Sequence, residues 1–355
     1  MNWLEKHRTP VLLNLILVLL AAACFAGYGI IAGTLHHIDS AKNWAGEGEL
    51  FYSYISCFMP VNEKIDENAV YSFKDTVNGK MVEASLEAKE GASLWNFAYS
   101  GTGMINVSTN RGSASVNATG IGGDFFFFHR PYLRDGSYIS GRDLMKDRVV
   151  IDKDLAWTLF GATEVAGMEV LIGGGRYIVA GVIEPETDFA SKAAKTANGG
   201  LYMSYEKLEE LTGAGIECYE AVIPNPVKNF AINIAKESFP AQNHEVVEVS
   251  ERYSIKNIAK VIASFGKRSM RSDGIVFPEW ENAARLTEDY CAAFLIFGAA
   301  FAIVPVGFGA VLAYKNARIY AKKLGIFAKQ KAEKLYDTYN NKLYEREQKL
   351  KNREE

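Results

Sequence analysis

The sequence predicts an α+β extracytoplasmic domain set between two transmembrane helices and followed by a basic, helical cytoplasmic tail. Three observations predict it. Residues 11–33 and 290–314 carry no charged side chain. The 281 residues from 34 to 314 hold 25 basic and 35 acidic side chains, whereas residues 315–355 hold 12 basic and 6 acidic ones. Between the two runs, hairpin signals alternate with helical spacing.

Each charge-free run would make a helix of roughly 34 to 37 Å, enough to cross a hydrocarbon core of about 30 Å. Lys6 and Arg8 precede the first run and the basic tail follows the second, so both termini are expected in the cytoplasm. The expected organisation is therefore a cytoplasmic N-terminus at 1–10, a transmembrane helix at 11–33, an extracytoplasmic domain at 34–289, a second transmembrane helix at 290–314 and a cytoplasmic tail at 315–355. The first run also resembles a secretory signal, with Ala21-Ala22-Ala23-Cys24 as a loose lipoprotein cleavage site. Phe25-Ala26-Gly27-Tyr28-Gly29-Ile30-Ile31 keeps the segment apolar beyond that point, as an uncleaved span requires.

Within the middle, Glu169-Val170-Leu171-Ile172 and residues 176–183 read as two strands joined by Gly173-Gly174-Gly175, glycines that accept the positive φ of a tight turn. Asn78-Gly79, between Tyr71-Ser72-Phe73 and Met81-Val82, predicts a second hairpin. Residues 154–160 have helical spacing, with Leu155, Ala156, Leu159 and Phe160 on one side and Gly161 as the stop. Another helix is predicted from Ser204 to Gly213 with half of a capping box, and further helices at 230–239 and 253–265.

In the second run, Pro305 removes a backbone hydrogen bond near the middle and predicts a kink. Gly298, Ala299, Ala302 and Gly309 offer a face that another helix can approach closely. Residues 280–289 lead into this run without a helix breaker, so one continuous helix is expected to pass from the external domain into the membrane as a rod able to carry a displacement; the alternative is ordinary anchoring, with Trp280 seated at the interface. In the tail, Ala328, Ala332, Leu335, Tyr339, Leu343 and Leu350 recur at helical steps among lysines and glutamates, a stripe suited to a partner helix or the anionic leaflet.

Thr119-Gly120-Ile121-Gly122-Gly123-Asp124-Phe125-Phe126, Leu133-Arg134-Asp135-Gly136-Ser137-Tyr138-Ile139-Ser140, Asp147-Arg148-Val149-Val150-Ile151-Asp152, Leu155-Ala156-Trp157-Thr158-Leu159-Phe160-Gly161 and Val179-Ala180-Gly181-Val182-Ile183-Glu184 together resemble the MacB-type periplasmic core domain of the FtsX-like permeases of ABC transport systems. The resemblance implies a two-lobed domain in which these blocks are packing markers, and it brings no catalytic residue. Such permeases continue into three further spans after the external domain. Here one follows, so a translocation path would need an oligomer or a larger permease.

No catalytic, cofactor-binding or metal-ligating residue is assigned. Gly120-Ile121-Gly122-Gly123 lacks the last glycine of a dinucleotide fingerprint and reads as a turn before a strand. His36, His37, His129 and His244 have no carboxylate or thiolate at metal-ligand spacing. Gly112-Ser113-Ala114-Ser115 does not make a nucleophile elbow, and no phosphate-binding Gly-x-x-x-x-Gly-Lys-Ser/Thr loop occurs. A net charge of −3 does not suit nucleic-acid binding. Cys24 and Cys291 lie in the apolar runs. A bridge between Cys57 and Cys218 would contribute about 3 to 5 kcal/mol were their Cα atoms within about 7 Å, and buried free thiols are the other reading.

Binding and conformational coupling, rather than chemistry, are expected of such a chain. It reads as a permease-like or accessory subunit in the plasma membrane, partnered by a separate ABC ATPase and assembled as a homo-oligomer or within a larger permease complex. The alternative is a membrane-tethered surface receptor or scaffold with no transport role.

Overall fold

The computed structural model describes residues 8–33, 39–48, 50–63, 65–88, 91–195 and 200–354, with side chains from 9 to 346. His36 and His37 lie outside the described residues, as does the side chain of Leu350. The chain divides into two units, Gly27–Phe294 and the pair Met1–Ala26 with Leu295–Glu355.

In the larger unit, ten strands among the described residues form one sheet in the order β10-β1-β9-β2-β3-β8-β5-β7-β4, with β6 pairing both β2 and β7. The strands are β1 (Tyr52–Phe58), β2 (Asn96–Ser108), β3 (Ser113–Gly123), β4 (Tyr132–Gly136), β5 (Arg148–Asp152), β6 (Glu169–Ile172), β7 (Gly175–Glu184), β8 (Leu201–Ser204), β9 (Cys218–Pro224) and β10 (Glu245–Glu248). The long strand β2 creates two lobes. Its first half, 96–100, pairs with β9 and carries the open wing β9-β1-β10. Its last two residues, Val107 and Ser108, pair on the same edge with Ile172 and Leu171 of β6, so β2, β3, β8, β5, β7 and β6 close into a ring without a free edge.

Ring and wing have separate cores. Ile105, Val107, Val116, Val149, Ile151, Val179, Leu201 and Met203 fill the ring. Cys57, Tyr99, Tyr219 and Ile223 of the wing pack under α3 (Glu67–Glu83) and α8 (Phe230–Ser238). Between them the chain after α7 (Tyr205–Thr212) crosses β2 so closely that a Cβ on Gly101 would stand 2.2 Å from the Gly215 carbonyl oxygen. The opposite face holds a third core of Tyr54, Ala98, Ile121, Phe125, Phe126, Phe128, Val150 and Val222.

Ile172 pairs with Gly175, and Gly173 and Gly174 have φ of 57° and 82°, which makes the expected hairpin a two-residue turn with both central residues left-handed. Helix α5 (Lys153–Phe160) starts where the Asp152 carboxylate accepts from the Leu155 amide at 2.7 Å and stops at Gly161, φ 68°. Helix α7 ends at left-handed Gly213, but the Ser204 side chain makes no capping bond. Helices α8 and α9 (Ile255–Val261, continued by a short 3₁₀ turn to Ser264) occupy the two predicted helical stretches.

Asn78-Gly79 is not a hairpin. Residues 67–83 form one helix, capped by the Asp66 carboxylate on the Ala69 amide at 2.9 Å, because Val70, Phe73, Val77 and Met81 recur at helical steps and are all buried. Nor do Cys57 and Cys218 form a bridge. Cys57 stands opposite Tyr219 and Phe58 opposite Cys218. The two cysteines are therefore one residue out of register and project from opposite faces of the sheet, Cys57 into the wing core and Cys218 against Phe58 and Phe277, and both are free thiols.

Among the described residues two helices are long and apolar enough to cross a membrane, α1 (Arg8–Ala32) and α10 (Glu279–Glu354). In the smaller unit a Cβ on Gly298 would lie 3.2 Å from the Phe25 ring and 3.3 Å from Cys24 Cβ, so this glycine seats α10 against α1, whereas Gly307 and Gly309 have nothing within 4 Å. Helix α10 continues through Pro305 without interruption.

Candidate functional site

The chemistry of the larger unit gathers where α10 begins. Residues 280–290 present four different faces, and each is taken by a different part of the external domain. Trp280, in the first turn, lies tilted against His129 with ring centroids 4.5 Å apart and edge-to-face on Phe125 at 5.5 Å, both from the aromatic block that follows β3. It is half-buried in this cluster, and its indole nitrogen has no hydrogen-bond partner among the described residues. Ala283, Leu286 and Tyr290, at helical spacing, lie against Ala190 and Ala194 of α6 (Phe189–Ala194). Asn282 accepts from the Met270 amide at 2.8 Å and donates to the Phe277 carbonyl at 2.8 Å, and Asp289 accepts from the Gly266 amide at 3.1 Å.

The fourth face is ionic. Glu281, Arg285 and Glu288 recur at i, i+4 and i+7, and all three are buried. Arg252, in the loop after β10, donates to both oxygens of Glu281 at 2.6 and 2.9 Å and through Nε to Glu288 at 2.7 Å. Arg285 donates to Glu281 at 2.6 Å and to Glu245 of β10 at 2.6 Å, with its guanidinium 3.6 Å over the Phe277 ring. Arg268 closes the set on Glu288. With Arg271 also 3.7 Å from Glu245, four guanidiniums meet three carboxylates, which is why the innermost ions can be buried at all. Burial pushes the Glu281 carboxyl up, but the Arg252 and Arg285 guanidiniums outweigh it and hold the group below the usual carboxylate range. Burial likewise opposes the charge on Arg252, and Glu281 and Glu288 more than restore it.

The loop that supplies Arg252 is itself fixed. The Val249 amide donates to the Tyr54 carbonyl at 2.8 Å, and the Ser250 hydroxyl accepts from the Tyr54 amide at 2.8 Å. Its next residue reaches both apolar helices: the Tyr28 hydroxyl donates to the Tyr253 carbonyl at 2.6 Å, and the Tyr253 hydroxyl to the Ala284 carbonyl at 3.2 Å. A Cβ on Gly27 would stand 2.9 Å from the Phe294 ring, so α1 and α10 also touch directly here.

Beside this junction lies a cavity of about 570 Å³ lined by Phe125, His129, Tyr202, Glu217 and Trp280. His129 pairs with Glu220 at 2.6 Å, and Glu220 in turn accepts from the Tyr54 hydroxyl at 2.5 Å, so this histidine is held in a buried chain. His244 bonds the Ala241 carbonyl at 2.8 Å. The run at Gly120 lies within β3 rather than in a turn before a strand, and serves close packing: a Cβ on Gly122 would overlap the Tyr99 ring and one on Gly120 would press on Leu208. Among the described residues no group of three or more His, Cys, Asp or Glu side chains is placed to hold a metal ion.

Sequence reasoning missed the ionic face. Its signal was present in the spacing of Glu281, Arg285 and Glu288 and in residues 252–271, which hold six basic side chains and no acidic one inside an acidic domain.

The family model of the MacB-like periplasmic core domain matches residues 15–242. The extracellular domain of the noncanonic ABC-type transporter YknZ from Gram-positive bacteria is similar at 17% identity over 55% of this chain and 100% of that one, with a TM-score of 0.37. The periplasmic region of MacB from Actinobacillus actinomycetemcomitans is similar at 14% identity over 59% of this chain and 92% of that one, with a TM-score of 0.41. No curated protein matches the chain.

Proposed function

The chain belongs to the family of the MacB-like periplasmic core domain, found in ABC transporter permeases, and on that premise we propose that it is a two-span membrane subunit that couples its external domain to a separate cytoplasmic ATPase. In this reading residues 11–33 and 290–314 cross the plasma membrane, residues 34–289 stand outside, and residues 1–10 and 315–355 are cytoplasmic. The observation that carries it is α10, one unbroken helix from Glu279 to Glu354 whose first three turns are gripped on four faces by the external domain.

A helix transmits displacement along its axis only if its end cannot slip. The root of α10 meets that condition, because sliding it by one turn would part Glu281 and Glu288 from Arg252 and Arg285 from Glu245 while all of them stay buried or half-buried, at a cost of several kcal/mol for each buried ion pair broken. Rearrangement of the wing or of the 249–254 loop would thereby move the helix, and the reverse. The chain supplies motion and binding, and ATP is hydrolysed by another chain. Two spans enclose a path only as an oligomer or inside a larger permease.

Extraction of the full chain in mild detergent, followed by mass spectrometry of what accompanies it, tests the proposal. Recovery of a nucleotide-binding subunit in constant ratio is expected. Its reproducible absence would favour a membrane-tethered receptor or scaffold instead.

A further inference from the structure

Helix α9 and its 3₁₀ continuation are apolar on two sides. Ile258 and Val261 are buried in the domain, as a surface helix requires. Yet Ile255, Ala259, Ile262 and Ala263 form a second stripe at helical steps that faces outward, Ile255 being 65% exposed, and Phe265 extends it at 49%. Lys256, Lys260 and Lys267 border the stripe; all are exposed, and none has an acidic partner among the described residues. No acidic residue occurs between Arg252 and Arg271, although residues 34–314 as a whole carry a net charge of −10.

The position of this segment is set at both ends. Tyr253, just before α9, accepts a hydrogen bond from Tyr28, a residue of the first apolar run. Gly266, just after it, donates to Asp289, the residue that precedes the second apolar run. A stripe of isoleucine and phenylalanine fringed by lysine, tied to both runs where they meet the external domain, has the composition of a helix lying in the plane of a membrane surface.

We propose that residues 253–268 form a collar on the external leaflet, with Ile255, Ile262 and Phe265 dipping into the headgroup layer and Lys256, Lys260 and Lys267 binding anionic phospholipid headgroups. The inference rests on the two-span reading above. Its consequence is that lipid charge bears on the loop that holds Arg252, and so on the root of α10.

The test uses the full chain with Cys24→Ala, reconstituted in vesicles of phosphatidylcholine alone or mixed with phosphatidylglycerol. A nitroxide is placed at Ile255→Cys or, separately, Phe265→Cys, and its collisions with oxygen and with a water-soluble nickel chelate are measured. Val18→Cys reports on the first span and Val82→Cys, 75% exposed on α3, on the aqueous side. Both collar labels should be shielded from nickel, and more so with phosphatidylglycerol. An interaction of about fivefold per lysine makes the K256Q/K260Q/K267Q variant bind the anionic surface about a hundredfold more weakly, removing that increment. Collar labels that stay aqueous while Val18 lies in lipid would overturn the proposal and leave the spans intact. Shielding that ignores phosphatidylglycerol and the lysines overturns headgroup binding, and shielding that follows protein density assigns the stripe to a second copy. An aqueous Val18 would sink the two-span reading and the collar together.

Discussion

Arg252 and Glu281 meet through two parallel hydrogen bonds of 2.6 and 2.9 Å, with both side chains 2% exposed. A fork of this kind fixes direction as well as distance, so the loop after β10 and the first turn of α10 have one mutual arrangement.

Removing one partner is therefore costly. Glu281→Gln leaves Arg252 and Arg285 short of a buried counter-charge, and Arg252→Met does the same to Glu281 and Glu288. Each should lower the unfolding free energy by about 3–5 kcal/mol. The double variant should lose much less than the sum of the two, which denaturant titration in detergent would reveal as a coupling energy.

Acid should weaken the domain in a defined window. The Glu281 carboxyl lies below its ordinary value of 4.5 because Arg252 and Arg285 outweigh its burial. A carboxyl lowered on folding adds stability that is fully present above the unfolded value and is lost as pH falls through the folded one. Burial instead raises Glu217 and Glu67, so their protonation as pH falls toward 4.5 favours the folded state. Stability measured against pH should thus fall off below 4.5, and Glu281→Gln should flatten that limb while Glu217→Gln should not.

Burial pushes the thiols of Cys57 and Cys218 up and keeps both protonated. Neither should react with a maleimide until the protein is unfolded, and oxidation should leave no intramolecular bridge detectable by non-reducing mass analysis. A Cys57–Cys218 disulfide in the native protein would contradict the register of β1 and β9.

Two glycines should respond with opposite sign to alanine. Gly79 lies inside α3 with open space where its Cβ would be, so Gly79→Ala should stabilise by about 0.5–1 kcal/mol. At Gly101 the same change meets the Gly215 carbonyl and should destabilise by about 1–3 kcal/mol or more. Thermal midpoints of the two variants check both.

What could be read from the sequence was local. The turn at Gly173-Gly174, the stop at Gly161 and the two apolar helices follow from φ preference and from unbroken hydrophobic length, which a neighbour cannot alter. Asn78-Gly79 misled because a turn dipeptide outweighed the step of Val70, Phe73, Val77 and Met81, a pattern visible only over the whole 17-residue helix. The closure of the ring through Val107 and Ile172, and the meeting of Arg252 with Glu281, depend on segments 65 and 29 residues apart, and no short-range preference encodes such pairings. The neighbours of Trp280, Phe125 and His129, belong to another part of the chain and were equally unreadable.

The most direct test of the coupling account is which side of the membrane each end of α10 occupies. With Cys24→Ala as background, Val82→Cys on the external domain and Lys342→Cys on the distal stretch of α10 can be exposed in intact cells to a maleimide that does not cross membranes. Labelling of Val82→Cys at once, and of Lys342→Cys only after permeabilisation, is the predicted result. Labelling of Lys342→Cys from outside, or protection of Val82→Cys there, would contradict a helix that carries motion from the external domain into the cytoplasm.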